Sequence, residues 1–188
     1  MNRSLAALAA TAALALAGTA HATAYVVDAA GNSSSGGTGA TTVALVAGEA
    51  FTVNVDAGDL WNAGALPRWS NADGLTHDLF ATGSDDSGQA TGTQIGQDFG
   101  LYTQGNLTAA YGTLVGRIGN GDYFVVGTSF SGVAASSGVL QLFYWDSNSG
   151  DNSQFVTANV TAVPEPASIA LLLAGLGAVG FTARRRRG

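Results

Sequence analysis

Short runs of alternating apolar and polar positions, separated by glycine, serine, asparagine and aspartate, fill the middle of this chain. A two-residue period puts alternate side chains on opposite faces of a strand. It predicts strands over 25–28, 42–46, 50–56, 111–119, 122–130, 138–146 and 154–161. The sharpest turn signal is Asn120-Gly121 within "LVGRIGNGDYFVVG", which predicts a hairpin closed by a type I′ turn. No run between 23 and 163 carries a capped helical period. Residues 62–107 are less regular, a long polar stretch with turn signals at 70–74 and 84–88. Loops of that length are uncommon unless functional or disordered. Seven or more short strands without helices predict an all-β fold, an antiparallel β-sandwich or jelly roll.

Two stretches break the alternation, one at each end. Residues 1–22 read as a secretory signal peptide: Arg3 supplies the charge, "LAALAATAALALAG" the apolar run, and Ala20-His21-Ala22 a small-x-small cleavage site. Residues 167–183 hold no charge and would form a helix of roughly 25 Å, enough to span a thin bilayer core. Arg184, Arg185, Arg186 and Arg187 follow it and would stay cytoplasmic. Pro164 and Pro166 cannot continue a helix, so Glu165 is held in a stiff extended segment just outside the membrane. An extended, accessible backbone is what a protease engages. Together these elements resemble the PEP-CTERM sorting signal of exopolysaccharide-producing Gram-negative bacteria. That resemblance implies recognition of Pro164, Glu165 and Pro166 by a membrane-embedded exosortase, with the arginine cluster as part of the signal. The expected organisation is a signal peptide over 1–22, a β-sandwich ectodomain over 23–162 and a sorting signal over 163–188. The expected route is export across the inner membrane, transient anchoring through the C-terminal helix, then the cell surface or extracellular matrix.

Charge narrows what the exported part does. Among the basic side chains between 23 and 163 are only Arg68 and Arg117, against twelve acids, a net of about −10. Such a surface repels phosphate backbones and speaks against nucleic acid. Cysteine is absent, which excludes thiol catalysis. After signal cleavage His77 is the sole histidine, so a multi-histidine zinc site cannot form, and no serine sits in a nucleophile motif. Aspartates are plentiful, but nothing singles out a facing pair of the kind glycosidases need. The expectation is a protein that is not an enzyme.

The densest chemistry is "WDSNSGDNS", residues 145–153. Asp146, Asn148, Asp151 and Asn152 place hard oxygen donors on one short loop, as calcium requires. The same residue types are also the commonest turn formers, so a plain polar hairpin loop is the other reading. Trp61, Trp69 and Trp145 suit either sugar stacking or a sandwich core. Trp145 precedes Asp146 on a strand and therefore faces the other way, which favours the core for it.

The runs "VALVAGEAFTVNVDAGDLW", "YGTLVGRIG", "FVVG", "SGVLQLFYWD" and "DNSQFVTANV", in that order, resemble the galactophilic bacterial lectin (lectin I) family of calcium-dependent jelly rolls. The resemblance implies calcium held by Asp146, Asp151 and Asn152, with the carbonyl of Ala63 from the earlier "LWNAG" loop. Ser149 stands nearest the family's threonine ligand, because the loop is shorter here. It also implies sugar contacts from His77, Asp146 and Asn152, and a galactoside-like sugar or extracellular polysaccharide as partner. A structural surface or biofilm protein that keeps this fold without sugar binding is the alternative.

Overall fold

Alternation becomes burial most clearly in strand β3 (Ala50–Val55), where Phe51, Val53 and Val55 turn inward while Ala50 and Asn54 face solvent. The computed structural model describes residues 21–163. Pro164, Glu165, Pro166, the apolar 167–183 stretch, Arg184–Arg187 and most of the signal peptide lie outside the described residues. The remaining strands are β1 (His21–Asp28), β2 (Ala40–Leu45), β4 (Trp61–Asn62), β5 (Trp69–Ser70), β6 (Leu79–Phe80) and β7 (Gln94–Gly96). They are followed by β8 (Leu101–Gln104), β9 (Leu107–Ala110), β10 (Leu114–Ile118), β11 (Tyr123–Val125), β12 (Ser129–Val133), β13 (Gly138–Tyr144) and β14 (Phe155–Val163). Among the described residues no helix forms.

Two four-stranded sheets carry the fold, ordered β1-β14-β3-β12 and β11-β10-β13-β2. A single buried cluster takes side chains from both: Val27, Phe51, Val53, Val156 and Val160 from one, Leu45, Leu114, Leu140, Leu142 and Tyr144 from the other. That shared interior makes the architecture a β-sandwich. Val53, Leu140, Leu142, Val156 and Val160 are each 0 % exposed, and each contributes about 1.5–3 kcal/mol.

The outer face of the second sheet is also covered. The β8–β9 hairpin packs Tyr102, Leu107 and Ala109 over Val115, Phe143 and Trp145. Consequently β10 and β13 are buried on both sides, and consecutive residues Tyr144 and Trp145 are both fully enclosed. Tyr144 meets Trp61 edge-on in the interior, whereas Trp145 donates its indole N–H to the Tyr102 carbonyl on the outside.

Two expectations are corrected. The single strand expected over 122–130 is two strands in different sheets, with the chain crossing at Val126–Thr128. Gly127 turns there with φ 66°, and the amides of Val126 and Gly127 share the Leu114 carbonyl. Asp73 pins the crossing by accepting from the amide and hydroxyl of Thr128. The β10–β11 hairpin forms as expected, but Asn120-Gly121 is not a type I′ pair. Positive φ falls on Gly119, at 57°, and Gly121 donates to Ile118 to close the turn. The 62–107 stretch is ordered: Ala63, Ala72 and Leu75 join the main core, and Ala81 and Ile95 form a small second cluster with Leu60, with Trp69 and Leu79 against it.

Gly119 therefore bears the backbone constraint that the sequence pattern assigned to its neighbour. Gly119→Ala should lose about 1–2 kcal/mol of unfolding free energy, measured by chemical denaturation. A Cβ at Gly121 meets the Ile118 carbonyl at 3.1 Å and the Ser136 hydroxyl at 3.9 Å, with no positive φ to oppose it, so Gly121→Ala should lose less.

Candidate functional site

Beyond the end of β13 the backbone is gripped from both sides. Tyr144 exchanges main-chain hydrogen bonds with the 32–34 loop, and Trp145 does the same with Gly112 and Thr113. The Ser34 hydroxyl donates to the Asp146 carbonyl at 3.1 Å and accepts from the Asp146 amide at 3.3 Å. Asp146 is thus fixed at the bottom of a loop, with 5 % of its surface exposed. Its carboxylate accepts from the Ser147 amide at 2.6 Å.

Asn152 and Ala63 arrive by a second set of main-chain bonds. Asn62 and Ser153 exchange N–H···O bonds at 3.0 Å in both directions, which lays the 62–64 loop alongside 151–153. Gly64 is required there: its φ is 112°, and a Cβ would stand 2.6 Å from an Asp151 carboxylate oxygen. Asn152 donates its amide to the Ala29 carbonyl at 3.1 Å. Its Oδ1 is buried and receives no hydrogen bond. Three loops, 29–34, 62–64 and 146–152, therefore converge on Asp146, Asp151, Asn152 and the Ala63 carbonyl.

Burial raises the carboxyl pKa of Asp146, and the negative charge of Asp151 adds to it. Donation from the amides of Ser147 and Asn148 and from the Asn152 side chain offsets part of that rise. The site has one positive neighbour. Arg68 stands 3.7 Å from Asp151 and donates to the Ala63 carbonyl at 3.4 Å. Its guanidinium lies 4.4 Å above the Phe99 ring. Phe99 meets Tyr111 edge-on, and Tyr111 stacks on Tyr102. The Tyr111 hydroxyl closes the circuit at Ser147 Oγ, 3.4 Å away. Arg68, Phe99 and Tyr111 form the rim, and the sequence pattern gave none of them a role at the site.

The other expected site residues have different surroundings. The Ser149 hydroxyl faces the 33–37 loop, within 3.4 Å of where a Gly36 Cβ would stand. His77 is exposed and pairs through Nδ1 with the Thr76 hydroxyl at 3.0 Å. Its ring lines a small pocket with Ala57, Leu60, Trp69 and Leu79, a pocket shared with none of the residues around Asp146. Trp61 and Trp145 are core residues at 0 % exposure.

An ion of the calcium type needs oxygen donors and nothing else, and the cluster offers carboxylate, amide and carbonyl oxygens. Asn152 Oδ1, buried without a donor, is an acceptor that folding alone leaves unsatisfied. The donor set fits such an ion. Among the described residues no group of three or more His, Asp or Glu side chains gathers, so a metal here would rely on two carboxylates and neutral oxygens.

Because the folded-state pKa of Asp146 lies above its unfolded value, the native protein binds more protons across that window. Its contribution to stability is therefore greatest at acid pH and declines as pH rises through the raised pKa. In chelator, the stability of the wild-type protein minus that of Asp146→Asn should fall as pH rises from the ordinary carboxylate range. Urea titrations across pH 3.5 to 6.5, roughly spanning the carboxylate range, would read this; a flat difference would contradict it.

Comparison with known proteins adds three findings. No curated protein matches the chain in sequence. Among solved structures, the N-terminal domain of EclA, a PllA-like lectin, is similar over 74 % of this chain and 94 % of its own, at 22 % identity and a TM-score of 0.46. At the other end of the chain, residues 162–187 match the PEP-CTERM protein-sorting motif. This chain carries the address of an exported, exosortase-sorted surface protein.

Proposed function

We propose that the ectodomain is a non-catalytic carbohydrate-binding module whose ligand is engaged through a calcium ion at the tip of β13. The residues that would hold the ion are Asp146, Asp151, Asn152 and the Ala63 carbonyl. The observation that carries this reading is Asn152 Oδ1, a buried acceptor without a donor beside a buried carboxylate. Burying an amide oxygen without a donor beside a carboxylate whose hydrogen bonds only partly offset its burial is unfavourable, and a cation would supply a partner for both. A bound calcium supplies a hard, electron-poor centre at which two adjacent sugar hydroxyls complete the coordination shell. Asp146 and Asn152 would orient those hydroxyls, and Phe99 and Tyr111, which meet edge-on at the rim, would give the sugar an aromatic border. His77 would reach the sugar only if the ligand extends past the rim.

The sorting motif supplies the setting. An exosortase acting at Pro164, Glu165 and Pro166 would place this module on the cell surface or in the extracellular polymer. A structural surface protein without ligand is the competing reading, and calcium separates the two.

A ligand that binds only the native state adds about 2.7 kcal/mol at a hundredfold excess over Kd. Calcium should therefore raise the thermal midpoint by about 5–10 °C, and chelator or Asp146→Ala should abolish the rise. An unchanged midpoint in the wild-type protein would leave the structural reading standing. For the tail, Glu165→Ala in the native host should leave the unprocessed chain in the membrane fraction, read by the mass of the recovered protein.

A further inference from the structure

The described chain holds two arginines and no lysine, and the fold uses them differently. Arg117 is engaged: its guanidinium lies over the Tyr123 and Phe143 rings and donates to Gln141 at 3.1 Å. Arg68 is placed at the acidic site, with 34 % of its side chain exposed. A guanidinium has five N–H donors. Here one makes a hydrogen bond, a long one of 3.4 Å to the Ala63 carbonyl, and the ion pair with Asp151 is loose at 3.7 Å. The group is held by the Phe99 ring face, at 4.4 Å, more than by its polar partners.

This matters because Arg68 and a metal ion would draw on the same two oxygens, the Ala63 carbonyl and the Asp151 carboxylate. Once those oxygens turn to an ion, Arg68 keeps its place over Phe99 and loses its anionic partner. Two carboxylates facing a divalent ion and a guanidinium leave the site with net positive charge, although the domain as a whole is acidic. At physiological salt the wider charge is screened beyond about 8 Å, so the local sum governs a bound residue. A fork of guanidinium donors matches a planar carboxylate.

We propose, resting on the calcium reading above, that the ligand class is an acidic saccharide: a uronate unit whose adjacent hydroxyls meet the ion while its carboxylate pairs with Arg68. Neutral sugar would satisfy the ion and leave Arg68 without a partner.

The test uses the full chain in a non-glycosidic detergent with calcium, titrated calorimetrically. The probes are methyl galacturonide, its methyl ester, which keeps the hydroxyls and removes the charge, and sodium acetate. The free acid should bind about tenfold more tightly than the ester. R68Q should bring the acid down to the level of the ester, while the calcium-induced rise in Tm grows because a competing cation is gone. R68K, which keeps charge without the fork, should show an intermediate preference and serves if R68Q fails to fold. Equal binding of acid and ester, a preference that survives R68Q or is unchanged in R68K, or acetate competing as well as galacturonide would overturn the proposal. Loss of the calcium response in R68Q would do the same by making Arg68 a structural prop. A calcium-induced rise in Tm with equal binding of acid and ester refutes the acidic ligand alone. No calcium response and no sugar binding in the wild-type chain refutes the calcium reading and this one together.

Discussion

Everything at the tip of β13 depends on one requirement: buried main-chain groups must find partners. Tyr144 and Trp145 are fully enclosed on opposite faces of their sheet, so water cannot serve their N–H and C=O groups. The 32–34 loop takes those of Tyr144, and Gly112 and Thr113 take those of Trp145. Asp146 follows immediately and inherits the rigidity of both. A carboxylate on a free hairpin loop would wander and stay solvated. This one is immobilised because its two predecessors are core aromatics.

That coupling runs through the aromatic residues on both faces. Trp61 and Tyr144 meet in the interior, where the Trp61 indole donates to the carbonyls of Asn71 and Gly112. On the outside Trp145 packs against Tyr102 and Tyr123. Tyr102 in turn stacks on Tyr111, which meets Phe99 edge-on, and Phe99 carries Arg68 on its ring face. The core and the rim are thus one continuous packed surface, and a truncation at Tyr102 would loosen both.

How much of this was legible in the sequence varied with the range of the interaction. Strand alternation and the acidic loop after "FYWD" were readable, because period and composition are local. The division of 122–130 between two sheets was not: the alternation runs on, and only Gly127 and a carboxylate from distant Asp73 mark the crossing. The turn at Gly119 was displaced by one residue because Asn-Gly is the stronger short-range signal and the Gly119 amide is claimed instead by Val139 across the sheet. Within the site, Asp146, Asp151 and Asn152 stood out, but the isolation of Asn152 Oδ1 depends on the 29–34 and 62–64 loops closing over it. Arg68, Phe99 and Tyr111 are scattered along the chain. The rarity of arginine in so acidic a domain was the one sequence signal that could have found the rim.

The pairing of β1 with β14 has a consequence for how the domain meets its surroundings. His21 lies opposite Ala162 at one end of the ladder, and Asp28 lies opposite Phe155 at the other. Eight residues of extended chain separate these ends by roughly 23 Å. Both termini of the sandwich therefore leave from one pole, side by side. The Ala29 carbonyl that anchors Asn152 sits at the opposite pole. Within the sandwich, then, the loop that holds Asn152 and the two chain ends are separated by the full length of the β1–β14 ladder, so a change in the chain at either end acts on the acidic loops only through the length of that ladder.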